Sequence, residues 1–196
     1  MWKNRLNRTL IVGTLGLVTL TACAGIGLQG GSRAEVSGYL ATLRTHQQAG
    51  QTGTITGRLY LAQPGIPTPL IDWTVTLLPL SPEQETALHH AQAPYLEGDR
   101  RPLSAEQLEA ARHVIAALRA AAETDGEAGL IRTAVTNRVD AAFTFTDVPE
   151  GRWLLTAELP GKLSTLLWAV PVSVTAGKST VRMLNDSAVW LEGLNR

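Results

Sequence analysis

Apolar positions in this chain switch between two periods. Val36, Tyr39, Leu40 and Leu43 recur at helical spacing. Ser32 with Glu35 reads as a capping box before them, and Gly50 reads as a stop, so a helix is predicted over residues 32–50. Gly38 weakens that run without breaking it. From Thr52 the period becomes two. Residues 54–61 are rich in strand formers, residues 64–69 carry three prolines and a glycine as a loop, and Ile71, Trp73, Val75 and Leu77 alternate with polar residues as a half-buried strand.

The β pattern then stops for some fifty residues. Ser81-Pro82-Glu83-Gln84 is a helix start, with a cap residue, proline at the first helical position and glutamine at the third. This helix is predicted to end before Pro94. Ser104-Ala105-Glu106-Gln107 opens another, with Leu108, Ala111, Ile115, Leu118 and Ala122 along one face. Together they predict a helical hairpin within residues 81–127. Its apolar stripe must be buried, either on the sheet or under a partner. Strand pattern resumes at residues 130–136, 142–146, 153–159, 168–174 and from Val181, with turns at 137–141, 147–151, 160–161 and 176–178. Short strands joined by turns at near-regular intervals predict an antiparallel sandwich or barrel.

The first twenty-odd residues are of another kind. Lys3, Arg5 and Arg8 precede an uncharged apolar run over residues 9–20. That run is too short for the ~20 residues of a membrane-spanning helix. It ends in Leu20-Thr21-Ala22-Cys23, and Cys23 is the chain's one cysteine. The arrangement resembles a bacterial lipoprotein signal, cleaved between Ala22 and Cys23, with Cys23 lipidated. The resemblance implies a mature chain held in the cell envelope by its acyl groups, palmitate among them. Ala24, where an aspartate would mark retention at the inner membrane, favours the outer membrane, facing the periplasm. Residues 23–31 are then a Gly-rich tether reaching under roughly 20 Å.

Cleavage changes the charge. The full chain has 17 basic and 17 acidic side chains. Without Lys3, Arg5 and Arg8 the balance becomes about −3 and no basic tract remains. That leaves no electrostatic footprint for nucleic acid.

The strand segments resemble the carboxypeptidase regulatory-like domain, a seven-stranded sandwich of the prealbumin (transthyretin-like) type. Thr54-Ile55-Thr56-Gly57-Arg58-Leu59 and residues 69–77 match its opening. Asp140, Phe143-Thr144-Phe145, Pro149-Glu150-Gly151 and Trp153 match its middle signature, and Val172-Ser173-Val174 with Gly177 its close. Ala142 stands where that family usually has glycine, and the hairpin replaces a short loop. The resemblance implies a mainly β domain over residues 52–191, with an inserted α-helical hairpin and an N-terminal helix. It also implies an accessory or interaction module with no catalytic residues to carry over.

Candidate chemistry is sparse. His89 and His90 with Glu85, and His113 with Glu109, lack the spacing of a metal site, so neither metal nor cofactor is expected. Glu123, Asp125 and Glu127 read as a solvated turn. Trp73, Trp153 and Trp168 are in phase with apolar strand faces and are expected in the core, whereas Trp190 is expected to be exposed and available to a ligand. The expected function is a non-enzymatic, lipid-anchored envelope protein that binds or assembles other envelope proteins. The alternatives are a carbohydrate-binding surface lipoprotein and, remotely, a metal-dependent hydrolase.

Overall fold

A computed structural model describes residues 33–61, 66–96, 104–185 and 189–194. Cys23, Ala22 and the cap residue Ser32 lie outside them. Helix α1 (Arg33–Gln48) leads into strand β1 (Thr52–Leu61), then β2 (Thr68–Pro69) and β3 (Thr74–Pro79). The hairpin is α2 (Pro82–Leu96) and α3 (Ala105–Thr124). A 3-10 turn at Ala128–Leu130 precedes β4 (Arg132–Val135), β5 (Ala142–Pro149), β6 (Gly151–Pro160), β7 (Ser164–Val174), β8 (Ser179–Leu184) and β9 (Val189–Leu194). Both hairpin helices start as their sequences predict. Ser81 and Ser104 each accept from the backbone three residues on, and Gln84 and Gln107 reach back to the cap. Gly50 ends α1 at φ 67°.

The strands form two sheets. One contains β2, β1, β5 and β8, and the other runs β4-β3-β6-β7-β9. Seven antiparallel strands were expected; the described residues hold nine, and β8 lies parallel to β1. Two sources account for the difference. The two-residue β2 folds back on the end of β1, and the C-terminal residues form β9 against β7. The sheets pack face to face through one core: Ile55, Leu59, Phe143, Phe145 and Leu184 from the first, Val75, Leu77, Trp153, Leu155, Trp168 and Val172 from the second. Trp153 and Trp168 are fully buried, as expected. Their indole N–H groups donate to the carbonyls of Pro149 and Asn185, which satisfies the polar end of each ring. Phe143 and Phe145 meet edge to face at 6.0 Å.

Several boundaries depart from the sequence pattern. The strand expected from Ile71 begins only at Thr74, because Asp72 turns the chain at φ 58° and leaves Ile71 exposed. Helix α2 continues through Pro94 to Leu96. A proline so close to the end forfeits one intrahelical bond and leaves only the final turn to be disturbed. The left-handed residue before Phe143 is Ala141, at φ 54°, and not Ala142. Asp147, at φ 53°, marks a register shift in the β1–β5 pairing, so β5 continues to Pro149 and the reversal narrows to Glu150.

Helix α1 is fastened to the sandwich by polar as well as apolar contacts. Val36, Leu40 and Leu43 enter the core. Tyr39 accepts from the Arg152 N–H at 2.6 Å and donates to the Arg152 carbonyl at 2.8 Å. Gly151 makes room, since a methyl there would lie 2.5 Å from Leu43 Cδ2. Asp125 and Glu127 are not the solvated turn expected of them. Ser37 donates to Asp125 at 2.5 Å, and Arg44 pairs with Glu127 at 2.9 Å, both carboxylates being largely covered. Their partners lie some eighty residues upstream, which no local pattern announces. Glu123 stays exposed.

Burial pushes the Tyr39 phenol up to about 12. A raised phenol pKa means that the folded state holds its proton after the unfolded chain has lost it. Stability from this group is therefore whole below pH 10 and is lost as pH climbs from 10 towards 12. Urea midpoints across that range should fall more steeply in the wild type than in Tyr39→Phe. At pH 7 the variant should be weaker by about 1–3 kcal/mol for its two orphaned backbone groups.

Candidate functional site

The hairpin lies on the outer face of the five-stranded sheet. Leu78, Leu80, Leu88, Leu108, Leu118, Leu154, Leu167 and Ala169 form a second core there. Gln92, buried on α2, donates to the Ala169 carbonyl at 3.2 Å. Most of the apolar stripe on α3 is thus spent on the sheet. Ile115 is half-buried and sits at the margin of this core.

Beside that margin the sheet face turns polar. Strand alternation sends Val75, Leu77 and Leu155 inward and Thr74, Thr76 and Thr156 outward. Cross-strand register aligns Thr133, Thr76 and Thr156 as a row over β4, β3 and β6. Helix α3 stands over the Thr76–Thr156 part of this row and leaves a cleft of about 660 Å³, lined by Asp72, Trp73, Thr74, Thr76, Thr156, Ala157, Glu158 and Leu167 from the sheet side and Arg112, Ile115, Ala116 and Arg119 from the helix. That volume falls within the range of small-molecule sites, roughly 300–1,000 Å³.

The cleft's side chains are held by specific bonds. Trp73 is not a core residue as its phase implied. It precedes the strand and is half-buried, packing partly on the inter-sheet core while lining the cleft. Its Nε1–H donates to the Glu158 carbonyl at 2.6 Å, and its backbone N–H to the hydroxyl of buried Thr136 at 2.8 Å. Both bonds fix the ring before any ligand arrives. Arg112 pairs with Glu158, Nε lying 3.1 Å from Oε1, and reaches Glu109 at 3.3 Å. Asp72 takes both its oxygens to Arg138 Nε at 2.9 Å. Arg119 is half-buried and makes no hydrogen bond or ion pair with the described residues.

Other expected positions are not brought together. His89 and His90 are exposed, and among the described residues His113 meets Glu109, at 3.7 Å. Among the described residues no three His, Cys, Asp or Glu side chains gather as metal ligands. No described helix is long and apolar enough to cross a membrane. The backbone of Trp190 runs in β9, and its side chain lies outside the described part of the structure.

Sequence reasoning missed the cleft because its residues come from β3, β6, β7, α3 and a turn. Only Thr74 and Thr76, alternating with Val75 and Leu77, gave a local sign, since a solvated strand face more often carries charges.

No family model matches the chain, and no curated protein does. It is similar to a proposed carbohydrate-binding protein from Pseudomonas aeruginosa known from a crystal structure, with 18% identity and a TM-score of 0.39 over 72% of this chain and 95% of that one.

Proposed function

We propose that this chain is a non-enzymatic binding protein of the bacterial envelope, lipid-anchored through Cys23. In this reading its sandwich is of the prealbumin-like, carboxypeptidase regulatory type, and its α3 cleft holds a saccharide. The observation that carries the reading is the cleft's makeup. A pre-fixed indole beside a row of hydroxyls and paired charges suits a ligand with one apolar ring face and many hydroxyl groups. An indole presents an apolar face and a polar edge, and the threonine hydroxyls both donate and accept. A stable protein interface needs about 800 Å² on each side, which a concave site of this size does not offer.

Calorimetric titration of the full chain in detergent against neutral and acidic oligosaccharides tests the site. Trp73→Ala should weaken binding about tenfold, the worth of one aromatic contact. Thr76→Val keeps the floor's shape while removing one hydroxyl and should weaken it several-fold. Failure of the wild type to bind any oligosaccharide, or binding indifferent to both substitutions, would overturn the proposed site.

An assembly role has its own support at another place. Ile66, Ile71, Val135, Val139 and Leu163 are apolar and exposed, in or next to the loops at the end of the sandwich where β3 begins and β4 and β6 end.

A further inference from the structure

The charges of the cleft are unevenly committed. Glu158 is engaged by Arg112, and Asp72 by Arg138. Of the described arginines, all but Arg119 and Arg182 hold a carboxylate or a backbone carbonyl, and Arg182 lies exposed on β8, away from the cleft. Arg119 lines the cleft with no such partner, and it is half-buried there. A guanidinium always carries its charge, and its planar fork fits a carboxylate through two parallel bonds. With both cleft carboxylates occupied, the uncommitted charge facing a ligand is positive.

Spacing adds to this. Arg119 lies seven residues, two turns, beyond Arg112 on the same side of α3, about 10.5 Å along the axis. Between them Ile115, packed partly on the second core, and Ala116 line the cleft opposite the threonines. One end of the cleft thus has the fixed indole and the Arg112–Glu158 pair, and the other has a free cation.

From this we infer that the cleft selects an acidic saccharide, a sugar unit bearing a carboxylate that Arg119 receives while neighbouring hydroxyls lie over the threonines and the Trp73 ring. This rests on the saccharide reading above and sharpens it to a ligand class. An exposed carboxylate on a flexible sugar is a ready partner, because the guanidinium's water has already been partly removed by the protein.

A matched pair of probes separates the two levels. Cellotetraose and β-1,4-linked tetraglucuronic acid differ only in oxidation at C6 and are titrated against the full chain in detergent at low salt. The acidic tetramer should bind about ten- to a hundredfold more tightly, the worth of a charged hydrogen-bonded pair. That preference should shrink as salt is raised. Arg119→Gln should abolish it, bringing the acidic tetramer down to the affinity of the neutral one, and Arg119→Lys should restore part of it. Thermal midpoints of both variants control for folding. Equal binding of the two tetramers, or an acidic preference that survives Arg119→Gln, overturns the inference and leaves the saccharide reading standing. No binding of either tetramer removes both.

Discussion

Gly57→Ala should unfold the domain or cost it about 3 kcal/mol or more, read as a drop of around ten degrees in thermal midpoint. Gly57 is the central residue of β1, paired to Phe143 on one side and to Arg182 on the other. The first methyl of any side chain would run into the Arg182 carbonyl oxygen and the ring edge of Phe143. The carbonyl cannot give way, because it belongs to the β1–β8 ladder. The ring cannot move far, because it is buried 6.0 Å from Phe145 inside the inter-sheet core. Relief requires β8 to separate from β1, which would expose Ile55 and Leu59. Replacing Phe143 by leucine in the Gly57→Ala background should recover part of the loss by vacating the ring's volume. A Gly57→Ala protein with wild-type stability would mean that β8 does not pair as described.

Cys23→Ala should release the protein from membranes and abolish its labelling by fatty acid. The expectation comes from the energetics of acyl anchors. A single chain gives reversible attachment, with an association constant near 10⁴ M⁻¹, and a second makes it lasting at ~0.8 kcal/mol per buried methylene. On the proposed reading, a chain cleaved before Cys23 would carry about −3 and have no compensating attraction for anionic lipid. Fractionation after a sodium carbonate wash, with metabolic palmitate labelling, distinguishes the outcomes. A Cys23→Ala protein that remained in the membrane fraction would place the anchor elsewhere. Thermal midpoints of wild type and variant, measured side by side, control for folding.

What could be read from the linear chain was what local chemistry decides. The capping residues Ser81, Gln84, Ser104 and Gln107 mark their helices within four positions. The alternation through Trp153 and through Trp168 gives both strand and inward face, because a period of two leaves one reading. Beyond that range the signals fade. The parallel pairing of β8 with β1 joins residues some 125 positions apart, and nothing within β8 distinguishes a parallel neighbour from an antiparallel one. Asp125 and Glu127 look like any polar turn until α1 is laid against them. Trp73 has the phase of a core residue, and only the left-handed turn at Asp72 moves it to the rim of the cleft. The site was illegible for the same reason. Its floor is set by strand register and its wall by helix docking, and both are long-range outcomes.

The position of β1 also fixes the order in which the domain can come into being. A ribosome delivers β1 early, yet its two long neighbours are β5 and β8, which follow some 80 and 120 residues later. Until they arrive, the short β2 turn is the neighbour β1 has in its own sheet, bonding only its far end, and Ile55 and Leu59 lack the facing residues of β5 and β8. The chain must therefore stay open for most of its synthesis and close in a late, concerted event, the slow course expected where long-range strand pairs dominate. A chain stopped after β7 would keep the hairpin and most of the five-stranded sheet but leave β1 with one open edge, a template for unwanted pairing.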